Sequence, residues 1–184
     1  PESEKWGIDT IHALVAAGGD LGWRPDPLLR LEAIVPPDAA RMAAMATRLR
    51  MSKAEAARLA AWAMTGPVAH SASEAALAGT AYAGDRQAVE DRLRLGLASA
   101  RARAGQDAGA LAEAGGYLRL LRFLERWEKP VFPVKGGDLA ALGLPAGPEM
   151  GKLLAALEAE WVEGGFRLDR DALLARAAEL GGNA

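Results

Sequence analysis

The chain has 184 residues and a formal net charge of −2 at pH 7, so its overall balance does not have the basic excess typical of nucleic-acid-binding domains. There is no cysteine, which excludes disulfides and thiolate metal sites, and no apolar run reaches the length of a membrane span. Apolar residues make up 51% of the chain but aromatic residues only 5%; with alanine and leucine dominant, this composition predicts helices rather than strands.

Capping residues, glycines and prolines divide the first third of the chain into four predicted helices. They are Glu4–Val15 ended by Ala17-Gly18-Gly19, Leu28–Val35 after Asp26-Pro27, a helix capped by Asp38, and one that begins with a Ser52/Glu55 capping box and ends at Gly66-Pro67. Ser71 and Glu74 repeat the capping-box spacing before a fifth helix.

A longer helix is predicted after Gly84-Asp85. At about 100° per residue, its apolar stripe consists of Val89, Leu93, Leu97 and Ala100. Arginines follow both edges of this stripe: Arg92 and Arg103 on one side, Arg94 and Arg101 on the other. They are either side-chain stems at the rim of a core or a phosphate-binding face.

The next predicted helix, Tyr117–Glu128, has Leu120, Phe123, Leu124 and Trp127 on its buried face. Arg119, Arg122 and Arg126 form a basic row along it, and Gly115-Gly116 either breaks or bends it from the Ala-rich segment before. The segment from Arg86 to Lys135 has ten Lys or Arg against six Asp or Glu, which makes a basic middle between two acidic ends. Such a segment is either a phosphate-facing surface or an ordinary solvated one.

A helix-turn-helix corner is predicted over residues 138–160. Asp138 caps a one-turn helix, Leu139–Leu142, Gly143 takes the left-handed turn, and Gly147 precedes a helix that starts at Pro148. The N–H groups at that helix start favour a phosphate, with Gly147, Gly151, Lys135 and Lys152 as candidate contacts, although Glu149 would repel one. The alternative is a tight corner in which the glycines permit close packing.

The expected fold is therefore all-α: an irregular array of about eight to nine short helices in two lobes, 1–66 and 67–184, with a last helix over about Asp169–Leu180. Asp169-Arg170-Asp171 has the spacing of a metal-binding carboxylate pair, but residues two apart on a helix do not share a face. His12 and His70 have no partners at ligand spacing. No catalytic or metal-binding residue is assigned.

One segment has a specific pattern: Gly136, Asp138, Leu139, Leu142 and Gly143, then Gly147, Pro148, Gly151 and Leu154. It resembles the tail signature of the CCA-adding tRNA nucleotidyltransferase and poly(A) polymerase family. Upstream segments resemble the same family in the same order: Trp6-Gly7-Ile8-Asp9, Trp23–Leu31 and Leu49-Arg50-Met51-Ser52.

This resemblance implies the helical neck, body and tail that hold the tRNA acceptor arm, without the catalytic head. We expect a cytoplasmic, non-catalytic piece of a longer protein, since the chain begins at Pro1 rather than Met. Its partners would be tRNA and its own missing N-terminal head domain, with no membrane. The full-length parent would use Mg²⁺, CTP and ATP, whereas this chain would hold no cofactor.

Two functional hypotheses follow. In the first, the chain positions tRNA for CCA addition through its basic surfaces. In the second, it is a helical scaffold that packs against a partner and barely contacts RNA, its parent being either a CCA-adding enzyme or a poly(A) polymerase. RNA binding predicts that the arginines from Arg92 to Arg126 and Lys135 form one contiguous basic surface, whereas a scaffold predicts that they are dispersed or paired with carboxylates.

Overall fold

The structure, a computed structural model, describes residues 7–105, 107–145 and 147–181. Within these ranges the regular structure is entirely helical, which confirms the all-α prediction, and it comprises ten helices rather than eight or nine. They are α1 (Ile8–Leu21), α2 (Pro27–Ile34), α3 (Ala39–Arg48), α4 (Lys53–Met64), α5 (Glu74–Ala83), α6 (Arg86–Arg103), α7 (Ala108–Arg126), α8 (Gly136–Ala141), α9 (Pro148–Glu163) and α10 (Arg170–Gly181).

The chain forms two units, of which the first ends at Trp127 and the second begins at Glu128. The lobe boundary expected between residues 66 and 67 falls inside the first unit, between α4 and α5. In the first unit α6 is the central helix, because α1, α4, α5 and α7 all pack against it. In the second unit α8, α9 and α10 pack on one another.

Short polar side chains begin most of the helices by accepting hydrogen bonds from first-turn N–H groups. Asp26 caps α2, Asp38 caps α3, and Ser52 with Glu55 forms the expected capping box of α4. The cap of α5 was predicted wrongly. Ser73, not Ser71, accepts the N–H of Ala76, at 3.1 Å, because Ser71 belongs to a preceding turn closed by the Ala72 N–H and the Ala69 carbonyl.

The first helix does not end where its glycines suggested. α1 continues through Gly18 and Gly19 to Leu21 and ends at Gly22, which is left-handed with φ 68°. Leu21 and Trp23 both pack on the main core, and this tertiary packing offsets the poor helix propensity of the two glycines. The predicted start at Glu4, and Trp6 of the family pattern, lie outside the described residues.

The α6–α7 pair forms the main core of the first unit. The predicted stripe is correct, since Val89, Leu93, Leu97 and Ala100 are all buried. α7 is continuous across Gly115-Gly116, so these residues do not break the helix. A Cβ atom at Gly116 would lie 2.5 Å from the His70 carbonyl oxygen, which means that this glycine allows the 66–73 connection to cross α7 closely.

The second unit contains the predicted corner, with one difference. Gly143 is left-handed with φ 85°, and Pro148 begins α9, as expected. Asp138, however, is the third residue of α8 rather than its cap. Its carboxylate accepts the Lys135 N–H at 2.8 Å and the Arg170 guanidinium at 2.7 Å, and so ties the start of α8 to α10. The aromatic rings of Phe132 and Phe166 pack on the buried Trp161.

Candidate nucleic-acid interface

Arg92, the first of the predicted RNA-binding arginines, faces the interior of the first unit. Its guanidinium lies 4.8 Å from the ring centroid of Trp62, and its Nη2 donates to the Trp62 carbonyl at 2.9 Å. Burial lowers the pKa of Arg92, and the nearby Glu32 opposes that shift. Arg92 is thus a packing residue that joins α6 to α4.

Three further arginines of α6 are paired with carboxylates. Arg94 binds Glu90 at 2.5 Å and lies over the Trp23 ring, Arg101 binds Asp20 at 2.6 Å, and Arg103 binds Glu113 at 2.5 Å. The Arg101 and Arg103 pairs connect α6 with α1 and α7. These pairings are what the scaffold hypothesis predicts for α6.

The basic row of α7 is divided. Arg119 donates to the Ala72 carbonyl at 2.7 Å and lies 3.8 Å from Glu74. Arg122 and Arg126 are exposed one helical turn apart, and Arg126 Nε donates to the Arg122 carbonyl at 3.1 Å. Within the described part of the chain, neither of these two guanidinium groups contacts a carboxylate, so they keep their full charge toward solvent.

In the second unit the predicted contacts lie around α8 and the start of α9. Lys135 is exposed, but the nearby carboxylate of Asp138 lowers the positive potential around it. Lys152 forms an ion pair with Glu149 at 2.8 Å. A Cβ atom added at Gly147 or at Gly151 would meet nothing within 4 Å. Close packing therefore does not require glycine at either position, and the backbone at the start of α9 is open to solvent.

The structure also brings together a buried polar cluster that the sequence reasoning missed. The Arg58 guanidinium binds both oxygens of Asp91, at 2.9 and 3.0 Å, and one oxygen of Asp26, at 2.6 Å. Gln87 donates to the same Asp91 carboxylate at 3.0 Å. Burial acts to lower the pKa of Arg58, but the hydrogen bonds to Asp91 and Asp26 outweigh burial and raise it. Arg58 is therefore a cation, held between α2, α4 and α6.

Glu32 completes this cluster without a hydrogen-bond partner. It is fully buried on α2, and neither carboxyl oxygen is bonded. Burial, and then the charge of Asp91, raises its pKa to about 9, so Glu32 is neutral at pH 7. Arg92 Nε and Trp62 Nε1 are also buried without partners. A signal for the cluster was present, since Asp91 falls in the helical row of Ala88, Leu95 and Ala98, where a charged residue is unexpected.

Among the described residues there is no group of three or more His, Asp and Glu side chains that could hold a metal ion. Asp169 caps α10 by accepting the Ala172 N–H, while Arg170 binds Asp138, so this Asp-x-Asp triplet has structural roles. None of the helices described is both long and apolar enough to span a bilayer.

Comparison with known proteins identifies a related family. The chain is 40% identical over 55 residues to the mitochondrial CCA tRNA nucleotidyltransferase 1 of Mus musculus, 38% identical over 55 residues to that of Homo sapiens, and 38% identical over 61 residues to that of Danio rerio. Over these stretches the chain is similar to the CCA tRNA nucleotidyltransferases. The aligned stretch covers 30–33% of this chain and only 13–14% of each nucleotidyltransferase. No family model matches the chain.

Proposed function

We propose that this chain holds tRNA for a nucleotidyltransferase that adds CCA to tRNA 3′ ends. The observation that carries the proposal is the 38–40% identity to CCA tRNA nucleotidyltransferases over a stretch of an all-helical chain. The role is one of positioning: cations on helical surfaces contact the tRNA backbone, and the 3′ end is thereby presented to an active site elsewhere.

The chemistry of the parent enzyme belongs to a head domain that is not represented among these residues. Adding nucleotides from CTP and ATP with Mg²⁺ requires paired carboxylates that bind metal. The described residues do not fit such a site, since they contain no suitable acidic group. The proposed partners of this region are therefore tRNA and the head domain. Its location in the cytoplasm stays a prediction from the sequence.

The exposed cations best suited to the backbone are Arg122 and Arg126 on α7 and Lys135 before α8. The other predicted arginines are engaged within the protein, as described above, so they supply less field to a ligand. Gly147 and Gly151 add an open helix start in the second unit, although Glu149 with Lys152 leaves no net charge there.

A second candidate function, a helical scaffold with little RNA contact, is favoured by one observation. Arg94, Arg101 and Arg103 all form ion pairs inside the first unit, and those of Arg101 and Arg103 join α6 to α1 and α7. These guanidinium groups serve internal contacts instead of facing RNA. In that case the parent, whether it adds CCA or poly(A), would contact RNA through other regions.

Fluorescence anisotropy of labelled tRNA across a salt series distinguishes the tRNA-holding function from the scaffold function. Holding tRNA predicts saturable binding that weakens steeply with salt, and Arg122→Ala/Arg126→Ala should flatten the salt slope by roughly 0.7–0.9 for each phosphate that the variant no longer neutralises. Arg101→Ala/Arg103→Ala removes the same charge from arginines already paired, and should have a smaller effect. Absence of binding at low salt would reject the proposal in favour of the scaffold.

A further inference from the structure

A cleft of about 230 Å³ lies beside the α1–α2 connection in the first unit. Its lining includes the apolar side chains of Leu14 and Leu29, the bare backbone of Gly18 and Gly19, and the charged side chains of Arg24 and Arg30. This volume is below the roughly 300–1,000 Å³ typical of pockets for drug-sized ligands. The cleft therefore suits a small charged group rather than a whole nucleotide.

Arg24 and Arg30 differ from the arginines on the neighbouring face of α6. Both are exposed, and within the described ranges neither guanidinium has an ion-pair or hydrogen-bond partner. By contrast, Arg94 and Arg101 are neutralised by Glu90 and Asp20. Two like charges on the lining of one small cleft repel each other, and an anion between them would relieve that repulsion.

The carboxylate in the lining, that of Asp26, is not free to neutralise these cations. Its Oδ1 accepts the N–H groups of Leu28 and Leu29, at 3.0 and 3.2 Å, as the cap of α2. Its Oδ2 accepts the Arg58 guanidinium at 2.6 Å. Burial acts to raise the pKa of Asp26, but these hydrogen bonds hold it below its usual value. Arg58 also binds Asp91, so it does not cancel the charge of Asp26 in full. Arg24 and Arg30 still outnumber this single carboxylate, and the lining keeps a net positive charge.

We propose that this cleft binds one backbone phosphate of tRNA, with Arg24 and Arg30 donating hydrogen bonds to its oxygens. Guanidinium groups suit phosphate because their planar N–H donors match two oxygens at once. Gly18 and Gly19 present no side chain to the cleft, and the position that a Cβ atom at Gly19 would take is open space. The inference rests on the proposed tRNA-holding function, and it adds a contact outside the arginines of α6 and α7.

Two variants of the full chain test the site in different ways, both by anisotropy with labelled tRNA across a salt series. Arg24→Ala/Arg30→Ala removes the donors, and should weaken binding about tenfold at low salt and lower the salt slope by roughly 0.7–0.9, the value for one phosphate. Gly19→Leu keeps every charge but adds a bulky side chain to the lining of the cleft, and should weaken binding to a similar extent while circular dichroism shows an intact helical fold.

The control is Arg41→Ala/Lys53→Ala, which removes the same charge from α3 and α4, away from the cleft. The site is supported if both cleft variants weaken binding and the control does not. It is overturned if the arginine variant and the control weaken binding equally, or if Gly19→Leu binds like the wild type. Failure of the wild type to bind tRNA at all would instead reject the proposed function, and with it this site.

Discussion

Replacing Glu32 with Gln should change how the stability of the first unit depends on pH. The Glu32 side chain is fully buried and lacks hydrogen bonds, and burial raises its pKa from 4.5 to about 9. In the folded protein it stays protonated at pH values at which it ionises in the unfolded chain. Glu32→Gln is a neutral substitute of the same size that ionises in neither state.

The direction and size of the effect follow from linkage. Because the folded pKa lies above the unfolded one, the stability contributed by Glu32 is fully present below pH 4.5 and is lost as the pH rises toward 9. Each pH unit in this window lowers the free energy of unfolding by up to about 1.4 kcal/mol. Between pH 4.5 and 7 the loss is roughly 3 kcal/mol, and the Gln variant should not show it.

Hydrogen exchange measured by mass spectrometry at pH 5, 6, 7 and 8 resolves this effect by region. Peptides from α2, α4 and α6 should gain protection in Glu32→Gln relative to the wild type, by an amount that grows with pH. Glu125→Gln, an exposed glutamate of α7, makes the same change in formal charge and should alter nothing. If the difference in hydrogen-exchange protection between the wild type and Glu32→Gln stays constant from pH 5 to 8, the raised pKa of Glu32 is refuted.

Five further substitutions form three tests of the packing and capping, each by urea denaturation followed by circular dichroism. Arg58→Met leaves Asp91 buried without its cation, and should cost about 3–5 kcal/mol. Gly116→Ala should cost about 1–3 kcal/mol because its Cβ would lie 2.5 Å from the His70 carbonyl oxygen, whereas Gly115→Ala, whose Cβ meets nothing, should stabilise α7 by up to about 1 kcal/mol. Ser73→Ala should cost about 1 kcal/mol and Ser71→Ala almost nothing, since only Ser73 caps α5. Equal effects within either matched pair, or an unchanged stability of Arg58→Met, would contradict these contacts.

Local signals in the sequence predicted most helices of this fold. The Ser52/Glu55 box, the Asp38 cap and the left-handed Gly143 each act through neighbouring residues, so a pattern of a few positions is enough to predict them. The predictions of helix ends were wrong where contacts with residues far away in the sequence determine the structure. α1 passes through two glycines because Leu21 packs on a core formed by later helices, and no local pattern contains that contact.

The candidate interface was less predictable for the same reason. Helical spacing placed Arg92, Arg94, Arg101 and Arg103 correctly along the edges of a buried stripe. The partner of Arg94, Glu90, is four residues away on the same helix, but other partners are distant in sequence: Trp62 is 30 residues from Arg92, and Asp20 is 81 residues from Arg101. Whether an arginine faces a ligand or an internal carboxylate thus depends on tertiary contacts that periodicity does not contain.

Modification interference on a tRNA that lacks its 3′ CCA would identify the backbone phosphates by which this chain holds tRNA. The tRNA would be modified with ethylnitrosourea and selected for binding to the full chain, so that phosphates needed for binding are identified one by one. We expect interference that clusters in the acceptor arm and fades as salt is raised. Interference scattered evenly over the tRNA, or absent at low salt, would contradict it.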